Sequence, residues 1–376
     1  MKVVHLVVPE GIDDPERPSG GNTYDRRLGR GLADAGWSVD EHAVPGDWPD
    51  ADAGSHAALA EALAEVPTGR VVVVDGLVAS AAQEVLVPEA TRVRLVVLVH
   101  MPLGHGVPSV GVVGGGTRGN AETSGAGAGA EAGAGARPAE RAVLHAAAAV
   151  VTTSRWTRCW LLTTYGLDPA RVVVAPPGVD RAEVAPGSGT GRRLLCVGAV
   201  TPTKGQDVLV DALANVAAHG WRCTCVGSVD RDPSFTNKVR ARVRSAGLDG
   251  RVRLAGPRVG RELDAAYRTS DVLVTASRAE TYGMVVTEAL ARGMPVVATR
   301  VGGLPEALGR APDGRRPGIL VPEGDPRALA EALERWMTDP ALRRDLRTAA
   351  RGRRATLSDW STTSETVSRV LAGVAS

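Results

Sequence analysis

Aromatic residues are scarce in this chain, at 3% of 376 residues with a single Phe. Its cores must therefore be built from Val, Leu and Ala, and an apolar share of 44% supplies enough of them. Lysine is as rare: Lys2, Lys204 and Lys238 are the only three, and arginine supplies the remaining positive charge. The 44 basic and 42 acidic residues leave a net charge of +2, which gives no basis for nucleic-acid binding through bulk charge. Four cysteines occur, Cys159, Cys196, Cys223 and Cys225. Cys223-Thr-Cys225 is one residue too short for a zinc knuckle and has no second pair, so structural thiols in a reducing compartment are expected. No apolar run is long enough to span a bilayer, and the stretch Met1–Pro9 reads as a strand too short for a leader. The expected location is the cytoplasm.

What is present is a steady alternation of short apolar runs with Ala-, Leu- and Arg-rich helical patterns. The first half offers strands at 3–8, 38–43, 71–75, 95–100, 150–153 and 172–175, with helical stretches such as 23–35, 57–65 and 139–148 between them. A Gly- and Ser-rich linker at 186–191 precedes a second series at 194–197, 222–226, 252–254, 272–275 and 295–298. This is the β-α-β pattern of parallel sheets covered on both faces. The expected fold is α/β, with two doubly wound Rossmann-like halves facing a cleft, since such sheets bind ligands beyond the carboxyl ends of their strands. The expected divisions are 1–183, 184–355, and a C-terminal helix over 356–376 that packs on the first half. That helix carries an apolar stripe at Trp360, Thr363, Val367, Val370 and Leu371. The segment 111–137, rich in Gly and Ala, reads as a loop of high chain entropy, a spacer or else a lid that orders on substrate.

The richest segment is Ser277-Arg-Ala-Glu280-Thr-Tyr-Gly-Met-Val-Val-Thr-Glu288. A buried strand precedes it and a helix follows Gly283, so Glu280 sits in a loop and Glu288 more than one turn into the helix. A helix N-terminus suits a phosphate, and carboxylates suit sugar hydroxyls. Four other loops follow strands. Gly20 and Gly21 let the backbone approach a ligand ahead of the first helix. His100, at a strand's carboxyl end, can donate to a sugar or a leaving oxygen, with His105 nearby. Lys204, before Gly205, suits a diphosphate. The loop 256–260 with Arg258 could offer groups to a nucleobase. Asn22, Tyr24 and Arg26 suggest a polar acceptor, and Asp25 and His105 are general-base candidates by position.

Taken together these motifs resemble the retaining nucleotide-sugar glycosyltransferases of family 4, which have the GT-B fold. The similarity extends to Ala-Arg-Gly-Met-Pro-Val-Val-Ala, Val-Gly-Gly-Leu-Pro-Glu306, Gly318-Ile-Leu-Val-Pro and Val174-Ala-Pro-Pro-Gly178-Val-Asp180. The resemblance implies that Glu288 holds the donor ribose and that Glu280 faces the transferred sugar. It implies sugar contacts from the backbone of Tyr282, Gly283 and Met284, with Val285 near the diphosphate. Lys204 and Gly21 would meet the diphosphate and His100 the transferred sugar. His100, Lys204 and Glu280 are thus the expected catalytic residues, and Asn22, Tyr24 and His105 the expected acceptor contacts. The donor is a nucleoside-diphosphate sugar and the acceptor a soluble small molecule; no cofactor and no metal are expected, and a homodimer is left open. One departure stands out: Ala199 occupies the place of a family arginine, which removes one of two cations from the diphosphate and makes Arg258 the candidate substitute. Competing readings are a nucleotide-sugar epimerase, a phosphorylase, or a non-catalytic nucleotide-sugar-binding protein.

Overall fold

The computed structural model describes residues 2–105 and 138–375, so the 111–137 segment lies outside the described residues. Two six-stranded sheets, parallel throughout, form the frame. The first holds β1 (Lys2–Pro9), β2 (Trp37–Val44), β3 (Val71–Asp75), β4 (Arg94–Val99), β5 (Ala149–Thr152) and β6 (Val172–Val174), in the order β2-β1-β3-β4-β5-β6. The second holds β7 (Arg193–Val197), β8 (Arg222–Val226), β9 (Val252–Leu254), β10 (Val272–Thr275), β11 (Val296–Thr299) and β12 (Gly318–Val321), in the order β12-β11-β10-β7-β8-β9. The expected strands all form. The edge strand β12 goes beyond them; it pairs with β11 and begins at a glycine after a proline, weak strand signals both.

Helices cover the sheets. In the first half these are α1 (Gly20–Asp34), α2 (Ala53–Ala64), α3 (Gly76–Ala79), α4 (Gln83–Glu89), the helical residues 138–146 (α5) and α6 (Arg155–Tyr165). In the second they are α7 (Gln206–Asn215), α8 (Pro233–Ser245), α9 (Gly260–Arg268), α10 (Met284–Ala291), α11 (Leu304–Leu308), α12 (Pro326–Thr338) and α13 (Pro340–Arg354), and α14 (Trp360–Ala375) follows. Because both faces are covered, central strands are apolar along their length: every residue of β3 is buried, and all but the first of β4. Each buried valine of this kind contributes about 1.5–3 kcal/mol. Cys196, Cys223 and Cys225 are free thiols in the second core.

Helix α14 returns to the first sheet. Its Val367 and Leu371 join Leu28 and Leu32 of α1 in one buried cluster. Trp37 Nε1 donates to Ser368 Oγ (2.8 Å), and Thr363 Oγ1 donates to the Pro176 carbonyl (2.7 Å). Among the described residues no helix is long and apolar enough to cross a membrane.

Candidate functional site

Read from β9, the second sheet runs β9-β8-β7-β10-β11-β12, so the order in which its strands are added reverses between β7 and β10. A crevice opens at such a reversal, beyond the strand ends. The loops leaving these two strands carry Lys204 and Glu280, and Lys204 Nζ donates to Glu280 Oε2 at 2.5 Å. Lys204 closes a short 3₁₀ turn (Pro202–Lys204), and the left-handed Gly205 (φ 66°) then starts α7. A side chain there would strike the Ala276 backbone. Gly283 (φ 94°) caps α10 with no side-chain partner, which leaves the first N–H groups of that helix open to an anion.

Further along α10, Glu288 Oε2 accepts from Tyr267 OH of α9 (2.7 Å). Burial raises the Glu288 pKa, while the Tyr267 hydrogen bond and Arg292 oppose the rise. Burial also pushes the Tyr267 phenol well above its usual value, so it remains a donor. The Glu280 loop is braced from below: Gly303 N–H donates to the Glu280 carbonyl at 2.9 Å.

The first sheet reverses between β1 and β3, and the same logic brings its loops to the cleft. A side chain at Gly20 would meet Met284 Sδ at 3.3 Å, and one at Gly21 would meet His100 Cδ2 at 3.2 Å. This turn therefore touches both the first residue of α10 and the histidine at the end of β4. His100 Nε2 lies 2.8 Å from Asp25 Oδ1 and 3.3 Å from Asp75 Oδ2. Burial opposes a charge on His100, but Asp25 and then Asp75 override it, and its pKa is raised. Burial, followed by repulsion from Asp25, pushes Asp75 up to about 7. The donor atoms of the trio lie within 4.8 Å of one another, a spacing that could hold a cation. In the present geometry their oxygens face the imidazole and the Leu77 N–H, which donates to Asp75 Oδ1 at 2.7 Å.

A cavity of about 1060 Å³ opens between the two sheets, just above the usual size range of ligand sites. Thr23 and Arg27 line it from the first half, Asp180 from the crossover, and Arg258, Met284 and Glu288 from the second. Arg27 pairs with Asp180. Glu306, in the Gly-Gly-Leu-Pro-Glu motif, reaches across the domains: its Oε2 accepts from the Arg155 N–H, at the start of α6, at 2.9 Å.

The structure thus brings Gly20, Gly21, His100 and Met284 together at one point, and Lys204 with Glu280 at another. Arg258 and Glu288 share the cavity. Three acceptor expectations fare differently. Tyr24 is corrected: its side chain is fully buried and its hydroxyl donates to the Ala175 carbonyl (2.9 Å), so it serves the core. Asn22 takes part in capping α1, where Ser19 Oγ donates to its Oδ1 (2.7 Å). His105 stands edge-on to Trp156 (4.8 Å) and Trp160 (5.7 Å) of α6. Arg26 is engaged by Asp13 and Glu41. Tyr282 is buried, and the Val285 carbonyl accepts weakly from Tyr267 OH at 3.4 Å. The Ala199 carbonyl accepts from Gln206 Nε2 (2.9 Å). Sequence reasoning missed Asp75 and Tyr267. Asp75 carries a signal, a lone acid ending a run of four valines; Tyr267 carries none.

Two Rossmann-like halves with facing switch points define a fold of the GT-B type. Residues 18–183 match the family described as Glycosyltransferase Family 4, and residues 191–339 match Glycosyl transferases group 1. The chain is similar to the D-inositol 3-phosphate glycosyltransferase of Kineococcus radiotolerans, 36% identical over 249 residues, covering 60% of this chain and 57% of the relative. The corresponding protein of Pseudarthrobacter chlorophenolicus is 35% identical over 239 residues, 60% of this chain and 55% of the relative. The match thus spans little more than half the length of these curated relatives. Among solved structures, sucrose-phosphate synthase from Thermosynechococcus elongatus superposes with a TM-score of 0.78 at 22% identity over 99% of both chains. Anabaena HepE in complex with UDP and glucose does so with 0.74 at 17%, again over 99% of both. The chain belongs to the family 4 glycosyltransferases.

Proposed function

We propose that the protein transfers a glycosyl group from a nucleoside-diphosphate sugar to a soluble small-molecule acceptor, with retention at the anomeric carbon and without a metal. The observation that carries this reading is the convergence of Lys204, Glu280 and the open N-terminus of α10 on one crevice, with Gly20–Gly21 and His100 facing it. Lys204 and the α10 N–H groups would draw off the charge that grows on the leaving diphosphate. Glu280, released from Lys204 by the incoming donor, would hold the transferred sugar, and Glu288 the ribose. The departing phosphate oxygen would take the acceptor proton. In this reading residues 1–183 with the 356–376 helix bind the acceptor, and residues 184–355 the donor. The solved neighbour with UDP and glucose makes a UDP-sugar the first donor to try, and the relatives' name makes D-inositol 3-phosphate the first acceptor.

The test is a thermal-shift screen with UDP-, GDP- and dTDP-sugars, followed by calorimetry on Glu288→Ala. A bound donor raises the melting temperature by mass action, and the variant loses nucleotide affinity. Unchanged affinity in Glu288→Ala would refute the ribose role, and no shift with any nucleotide sugar would refute the donor class.

A further inference from the structure

The chain lacks a cation at position 199, and its neighbour Lys204 is paired with Glu280. Across the cleft stands a buried trio whose charge the reading above does not yet use. Asp25 and Asp75 are nine-tenths buried or more, and both approach the same ring nitrogen of His100. Two bare carboxylates in contact with each other in a dry site repel strongly, and a buried charge must be paired. One arrangement satisfies both demands: a single proton is shared between the carboxylates, and a second charge is matched by a protonated imidazole. The trio is then neutral overall. A neutral imidazole would leave a buried carboxylate with no cation beside it.

We propose that Asp25 and Asp75 are positioning residues that hold His100 as an imidazolium, its Nε2–H locked between them and its Nδ1–H turned to the sugar diphosphate in the cleft. The inference rests on the donor reading given above and deepens it, by assigning a first-domain cation to the site where Ala199 leaves a gap. Two observations support the orientation. Among the described residues, Nε2 alone of the two ring nitrogens has a hydrogen-bonding partner, Asp25, with Asp75 at 3.3 Å beside it. The side chain keeps 14% of its surface exposed while its two partners keep 2% and 3%, so it is the member of the trio that reaches the cleft. The groups facing it are few. From α1 come Asp25 and Tyr24, the latter edge-on at 5.1 Å with its hydroxyl donated elsewhere. From the end of β3 comes Asp75. Among the described residues no basic side chain acts on the ring.

The test begins on the free protein, so that it is independent of turnover. Long-range proton–nitrogen NMR on uniformly ¹⁵N-labelled protein, with His100 assigned by its loss in His100→Gln, should find both ring nitrogens protonated at pH 7.5. In Asp25→Asn the titration midpoint should fall by about one pH unit or more, as expected on losing an adjacent carboxylate. Should Asp25→Asn not fold, Asp75→Asn carries the same test, since its amide oxygen still accepts the Leu77 N–H. Tyr24→Phe, which removes a buried hydrogen bond from the same helix, should lower the melting temperature and leave the midpoint in place. A neutral ring at pH 7, or a midpoint that ignores both asparagine variants, overturns the proposal. Loss of the imidazolium signals on adding stoichiometric Mn²⁺ to a metal-free sample would make the trio a cation site and overturn it too. With donor and acceptor present, the alkaline limb of kcat/KM should follow the NMR midpoint from wild type to Asp25→Asn; a limb that stays put overturns the role toward the diphosphate. Absence of turnover with every nucleotide sugar strikes the proposed function alone, because the trio is read without substrate.

Discussion

Replacing Gly303 by alanine tests how the Glu280 loop is held. The Gly303 backbone, at φ −82°, is one any residue can adopt, so strain does not enter. Space does. A Cβ at this position would lie 2.1 Å from the Thr281 carbonyl oxygen, 2.7 Å from its carbon and 2.8 Å from Tyr282 Cα, where real contacts seldom fall below 3.4 Å. The loop from Glu280 to Tyr282 must therefore back away by about 1.3 Å to restore ordinary contact with the nearest atom, and the neighbouring atoms are backbone. Overpacking of this kind costs about 1–3 kcal/mol. The larger effect falls on chemistry, because a misplacement near 1 Å in a site can cost about 100-fold in rate. The assay pairs kcat for glycosyl transfer with nucleotide affinity by calorimetry. The expected result is a fall in kcat of about two orders of magnitude and a much smaller loss of nucleotide affinity, since Glu288 sits beyond the clash. Gly250→Ala is the control: nothing lies within 4 Å of the added methyl, so neither quantity should change. A Gly303→Ala protein with wild-type kcat and melting temperature would refute the claim that this glycine props the glutamate.

Three further outcomes follow from the geometry. Lys204→Gln should lower kcat by about 100- to 1,000-fold by removing a cation from the leaving group, measured under saturating donor; equal rates would dismiss its role. Tyr267→Phe should weaken nucleotide binding roughly fivefold, the value of about 1 kcal/mol for a lost hydrogen bond. The phenol favours the ionised form of Glu288, so its loss raises that pKa further, and binding should fail at a higher pH as the solution is acidified; identical pH dependence by calorimetry would argue against it. Asp75, with a folded pKa of about 7 against an ordinary 3.8, favours the fold when protonated. Its contribution is present in acid and is lost as pH rises toward 7, and His100, also raised, changes in the same direction. The melting temperature of the wild type should therefore fall from pH 5 to 8 more steeply than that of Asp75→Asn, and parallel curves would refute this.

The strands were legible because parallel sheets demand long buried runs, as in Val71-Val-Val-Val-Asp75, and the linker was legible because it lacks them. The switch-point loops could be found from their place after strands. What failed was the assignment of faces. Tyr24 reads as an acceptor contact when its loop is taken as the unit. Counted from Gly20 it falls with Leu28 and Leu32 on one helical stripe, at spacing four, and that stripe is the buried one. Asp75 was absorbed into its strand. Tyr267 and the Arg155–Glu306 bond depend on how elements meet across more than 20 and 150 residues, and no local pattern encodes such distances. The loop carrying Glu280 and the helix carrying Glu288 form where expected because they are contiguous in the sequence.

The return of α14 to the first sheet has a consequence for how the molecule is made. Val367 and Leu371 complete the core that Leu28 and Leu32 begin, yet they leave the ribosome only after the whole second half has been synthesised. Until then the first half carries an uncovered apolar groove along α1. Its closure therefore waits on the synthesis of the whole second half, and a chain truncated before Trp360 should expose that groove to chaperones.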